Sequence, residues 1–163
     1  MKKLILFGLA LALFSCKSPA QDNTDDKEDT AFKVQKTEAE WRAELSEEEF
    51  HILREAGTEP PFSSELNKKY EPGTYVCAAC ETPLFEGEHK FDSGTGWPSF
   101  DRAIEGNVAY STDNKIGYTR VEEHCATCGG HLGHVFDDGP PETTGKRHCV
   151  NGAALDFIPN NNE

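Results

Sequence analysis

Between Thr37 and Gly57 apolar residues recur at helical spacing, with Trp41 and Leu45 one turn apart and Phe50 and Leu53 sharing a face. Ser46 followed three residues later by Glu49 is a capping-box pattern, and Gly57 falls where a left-handed C-terminal residue belongs. The prolines of "TEPPF" then stop helix, so one or two short N-terminal helices are predicted. After Tyr70 the pattern changes to short runs bounded by Gly, Pro and Asn: "GTYVC", "HKFD", "NVAYST", "IGYTRVEEHC", "HLGHVF", "RHCVN" and "ALDFIP". "TDNKIG" between two of them predicts a hairpin connection. The fold class expected is mainly β, a small antiparallel domain of two packed sheets with the helix laid on the outside.

The start of the chain follows neither pattern. "MKKLILFGLALALFSC" is a basic start followed by an apolar run too short to span a bilayer comfortably, which reads as a secretion signal over residues 1–15. Leu13 and Ser15 ahead of Cys16 resemble the lipobox of bacterial lipoproteins, which implies cleavage before Cys16 and its acylation. The chain would then be lipid-anchored to a membrane of the bacterial cell envelope, outside the cytoplasm. An ordinary cleaved signal is the alternative. Residues 16–36 are polar, mostly acidic and nearly without apolar positions, as suits a flexible tether, although a solvated charged face of the domain would read alike. The folded domain is expected over 37–160.

Charge removes one class of partner. A formal net charge of -13 across 163 residues opposes a surface that tracks nucleic acid, which needs clustered Lys and Arg. Fourteen Gly, nine Pro and ten Phe suit a turn-rich globular domain.

Six cysteines carry the candidate chemistry. Cys77 and Cys80, then Cys125 and Cys128, form two C-x-x-C pairs with the ligand spacing of a tetrahedral Zn²⁺ site. Two residues between ligands let one tight turn present both sulfurs, and Gly129 after the second pair supplies backbone freedom for it. Four soft ligands close the shell, so one such zinc would be structural. Outside the cytosol, disulfides or a redox-active pair are the competing readings. With Cys16 assigned to lipid, Cys149 is left alone.

An unpaired thiol in an exported protein is either reactive or buried and inert. If "KRHCVN" is a strand, Arg147, Cys149 and Asn151 share a face, and a cation beside the sulfur favours the nucleophilic thiolate. His131 and His134 in "GGHLGHVFDDG" are candidate proton donors, but positions three apart reach one site only if the strand bulges, for which Gly133 is well placed. Structural hydrogen bonding or extra metal ligation would use them equally well. Trp97, in the Gly-rich loop "DSGTGWPSF", is either a core plug or a wall for a small apolar group.

Taken together, "GTEPPF", "VCAAC", "SGTGWPSF", "CATCGGHLGHVFDDGP" and "RHCVNGAALDF" resemble the B-type methionine-R-sulfoxide reductases, over about Thr37 to Pro159. The resemblance implies a zinc-clipped β fold and attack by Cys149 on the sulfoxide sulfur of an oxidised methionine, free or within a protein, leaving a cysteine sulfenic acid. It also implies that Trp97 contacts the terminal methyl group and that His131, His134 and Asn151 surround the oxygen, directly or through water; beyond the resemblance, a histidine is expected to supply the proton and Arg147 to help hold the thiolate. Two positions depart from the family pattern. His148 replaces a common Tyr, and Thr95 stands where many relatives carry a second, resolving cysteine. Regeneration is therefore expected from an external thiol, thioredoxin-like or otherwise, working outside the cytoplasm. The rival expectations are a zinc-ribbon-like binding module and a thiol peroxidase or disulfide reductase.

Overall fold

The structure, a computed structural model, describes residues 32–160. The expected signal segment, Cys16 and the tether up to residue 31 lie outside the described residues. Packing against the domain extends back to Phe32: its ring meets His124 edge-on at 6.0 Å between centroids, and the Val34 N–H donates to the Thr127 carbonyl at 3.0 Å. These two apolar residues interrupt the acidic run expected to be tether.

Two short helices open the domain, α1 at Glu38–Glu44 and α2 at Glu47–Glu55, and both start with capping boxes, Thr37 with Glu40 and Ser46 with Glu49. Each box satisfies N–H groups that a helix end leaves orphaned. The left-handed residue that ends α2 is Ala56 (φ 53°), one position before the predicted Gly57. Gly57 itself follows the cap, with the exposed His51 ring lying over it.

Nine strands follow: β1 Gly73–Cys77, β2 Pro83–Glu86, β3 Lys90–Phe91, β4 Ser99–Phe100, β5 Val108–Asp113, β6 Arg120–Cys125, β7 His131–Phe136, β8 Arg147–Val150 and β9 Leu155–Pro159. They form two antiparallel sheets, three-stranded in the order β2-β1-β9 and six-stranded in the order β3-β4-β8-β7-β6-β5. Sequence patterning missed β2 and β4, the one opening on Pro83 and the other two residues long after Pro98. β6 is shorter than the predicted run because Gly117 turns the hairpin at φ 85°.

Aromatic side chains hold the two sheets together. Phe85 of β2 stacks on Phe100 of β4 at 4.4 Å, and Tyr75 of β1 meets Phe100 edge-on at 4.9 Å. All three are fully buried, each contributing about 1.5–3 kcal/mol from apolar area removed from water. Helix α2 covers the outside with Phe50, Ile52 and Leu53 buried beneath it, and Arg54 Nη1 donates to the Cys128 carbonyl at 3.0 Å. That bond ties the helix to the second cysteine turn.

Candidate active site and metal centre

Cys77 ends β1 and Cys125 ends β6, so the cysteine cluster joins one strand from each sheet. The two turns are built alike. Glu81 and Gly129, each directly after the second cysteine of its pair, are left-handed (φ 58° and 70°), and their N–H groups donate to the carbonyls of Cys77 and Cys125 at 2.8 Å. Cys77 and Cys128 sulfurs lie 3.7 Å apart, Cys80 and Cys125 sulfurs 3.6 Å, and all four fall within 4.8 Å of one another. A tetrahedron with metal–sulfur bonds of about 2.3 Å has edges of about 3.8 Å, whereas a disulfide needs about 2.05 Å. The donor set therefore fits a structural zinc, and the distances are not those of disulfides.

Cys149 stands in the second cluster of candidate residues. In β8 it pairs with His134 of β7 on one side and Ser99 of β4 on the other, so its side chain shares a sheet face with both. Gly133 allows this approach: a Cβ there would sit 2.0 Å from the Cys149 carbonyl oxygen. The β6–β7 register slips from Glu123 opposite Gly133 to His124 opposite His131, leaving Leu132 as the extra residue of a bulge. The slip brings the His131 ring within 5.4 Å of the His134 ring despite their spacing. The bulge that the two histidines require is present.

A cavity of about 130 Å³ opens over Cys149, lined also by Trp97, His134, Asn151, Arg120 and Phe136. The side chains of His134, Arg120 and Asn151 at this face are each held by a partner from elsewhere. His134 Nε2–H donates to Asp113 Oδ2 at 2.8 Å, and Asp113 also accepts from the Lys115 N–H at 2.8 Å and from Arg120. Those bonds, the one from Lys115 foremost, hold the Asp113 carboxyl well below the usual carboxylate range. His131 Nδ1–H donates to Glu122 Oε1 at 2.7 Å, and burial pushes this imidazole down although Glu122 pulls it up. Neither histidine is a ligand of the cysteine cluster.

Arg147 shares the face of Cys149 but forks onto Asp138, with Nε and Nη2 at 2.8 and 2.9 Å, and lies over the Phe136 ring at 4.5 Å. Its charge is thus largely answered by a carboxylate. Burial pushes the Cys149 thiol up; Arg147 and a hydrogen bond from Thr95 pull it down, and burial wins. Arg147 thus acts on the sulfur in the direction expected of it, but against a larger opposing effect of burial. Asn151 is also more committed than a free oxygen ligand would be: Oδ1 accepts from the Glu59 N–H at 3.1 Å and Nδ2 donates to the Leu132 carbonyl at 2.9 Å, leaving one N–H. Trp97 is half-buried, its Nε1–H donating to the Glu59 carbonyl at 3.1 Å while the ring walls the cavity. His148 pairs with Val135 and so faces away from the cavity, bonded to buried Glu123 at 2.7 Å. Sequence reasoning missed Asp113, Glu122, Asp138 and Glu59 as partners, and only "FDDG" and "GTEPPF" carried any signal of them.

A family model described as the SelR domain matches residues 45–159. A peptide methionine sulfoxide reductase MsrB of Chromohalobacter salexigens is 49% identical over 78% of this chain and 96% of its own. Proteins of the same name from Thiobacillus denitrificans (54%, covering 76% and 94%) and Methanosarcina mazei (48%, covering 77% and 89%) are similar to a comparable degree. Among solved structures, the Yippee-like domain of Mis18 is 15% identical with a TM-score of 0.46, covering 56% of this chain and 100% of that one. With the zinc-type cysteine cluster and the Cys149 cavity in place, the family match is decisive: the chain belongs to the SelR-domain, B-type peptide methionine sulfoxide reductases, thiol-dependent oxidoreductases that reduce methionine sulfoxide.

Proposed function

We propose that the cavity over Cys149 takes the R epimer of methionine sulfoxide, in oxidised proteins and as the free amino acid, with the methyl group against Trp97 and the oxygen toward His134. The single observation that carries this reading is the cross-strand pairing of Cys149 with His134 inside a cavity walled by an aromatic ring. As the sulfur attacks, the sulfoxide oxygen gains basicity, and a histidine held by Asp113 is placed to protonate it. The thiol proton must leave for the thiolate to form, and the same imidazole can accept it before delivering it to the oxygen. The S–O bond of the sulfoxide breaks and an S–O bond to Cys149 forms, giving methionine and a sulfenic acid. Cysteine is oxidised and methionine sulfur reduced, so the electrons balance.

Two equivalents of an external thiol then return the sulfenic acid to thiol, releasing water and a disulfide. Thr95, in place of a resolving cysteine, and the commitment of Cys77, Cys80, Cys125 and Cys128 to one cluster support this route. The anchoring of Cys16 by lipid and the extracytoplasmic location rest on the sequence of residues 1–16. Detergent partitioning of the native product tests them. For the chemistry, racemic peptide sulfoxide should be consumed to one half, all of it R, and Cys149→Ser should consume none; consumption of both epimers would overturn the assignment. One turnover without reductant should leave a sulfenic acid that dimedone traps, whereas an internal disulfide would exclude the external route.

A further inference from the structure

Glu59 lies in the loop after α2, outside the catalytic face, with only 4% of its surface exposed. Four hydrogen bonds converge on it. Its carboxylate accepts from the Gly152 N–H at Oε1 (2.7 Å) and the Ala153 N–H at Oε2 (2.8 Å), at the start of the short 3-10 turn Gly152–Ala154 after β8. Its own N–H donates to Asn151 Oδ1, and its carbonyl accepts from Trp97 Nε1–H, both at 3.1 Å. Two walls of the Cys149 cavity therefore hang on opposite sides of one residue's backbone. Prolines 60 and 61, which follow, have no N–H, and the next backbone anchor of the loop is the Phe62 N–H on the Gly96 carbonyl at 2.7 Å. The carboxylate is the clamp that fixes residue 59 against the segment carrying Cys149.

We propose that Glu59 is a positioning and specificity-determining residue: through Trp97 and Asn151 it sets the width of the cavity, and so the size of the alkyl group accepted beside the sulfoxide sulfur. This rests on the reading that the methyl group lies against Trp97. The indole is one wall of the cavity beside Cys149, so a small outward shift of it widens the space next to the sulfur and relaxes the choice. Charge-assisted bonds to two backbone N–H groups are the stronger kind, and losing one should be felt at the wall.

The test compares the full chain with E59Q and E59A on the R sulfoxides of N-acetylmethionine amide and its ethyl homologue, with dithiothreitol as reductant. The wild type should prefer the methyl compound. In E59Q, which keeps one acceptor, KM for the methyl sulfoxide should rise about tenfold, as loss of one buried charge-assisted bond implies. The saturated single-turnover rate should stay within about threefold, and the methyl-over-ethyl preference should shrink by about fivefold or more. E59A should go further in the same direction, and E59Q alone carries the test if E59A does not fold. A lowered melting temperature with an unchanged methyl-to-ethyl ratio would show a merely structural role and overturn the proposal. A wild type that reduces neither compound would sink the reading of the cavity, and the proposal with it.

Discussion

The five described cysteines divide into two environments at opposite extremes. At the junction of the sheets four sulfurs crowd within 4.8 Å, presented by turns that spend their backbone freedom on aiming them. At the cavity one sulfur stands without another of its kind, between an imidazole and a hydroxyl, on a regular strand. The first arrangement needs a cation to neutralise it and leaves no open position for chemistry. The second has its charge opposed by burial and eased by Arg147 and Thr95. Neighbours, not the side chain, set the two environments apart.

The widest gap between the two should appear on losing one sulfur from each. Cys125→Ser, or stripping the metal with a chelator, should abolish cooperative unfolding, since structural zinc contributes about 10 kcal/mol or more, comparable with the whole stability of a domain. Calorimetry with metal analysis checks this. A folded, active protein after metal loss would erase the distinction. Cys149→Ser should leave zinc content and melting temperature near wild type while reduction falls by about 10⁴-fold or more. His134→Ala should lower the single-turnover rate by about 10²–10⁴-fold, and Asp113→Asn by less, because the imidazole stays and only its orientation is loosened. An unchanged rate in His134→Ala would remove the proton-donor role.

The smallest expected effect concerns titration. Because burial raises the Cys149 pKa, thiolate is the minor form at neutral pH, and its alkylation by iodoacetamide should climb with pH through neutrality, with its midpoint above that of an ordinary cysteine. Arg147→Ala and Thr95→Val each remove a downward pull, so both should move the midpoint higher, the arginine variant further. A midpoint below that of a free cysteine would reverse the sign.

The sequence made the zinc cluster legible because both ligand pairs are local, each fixed by a tight turn. Strands such as β1 and β7 were also readable, since their apolar runs end at turn residues. The catalytic face was legible only in part. Period two places Arg147 beside Cys149, but nothing local says that Asp138 will take up its charge. Asp113 reads as a turn residue in "TDNKIG", and only the β5–β6–β7 register carries it to His134. The bulge at Leu132 was expressible as a condition on the two histidines, whereas its location depends on the pairing with β6.

The shielding of Cys149 has a consequence for survival in hostile surroundings. Peroxide attacks thiolates far faster than thiols, so the burial that pushes the Cys149 thiol up also works against its oxidation.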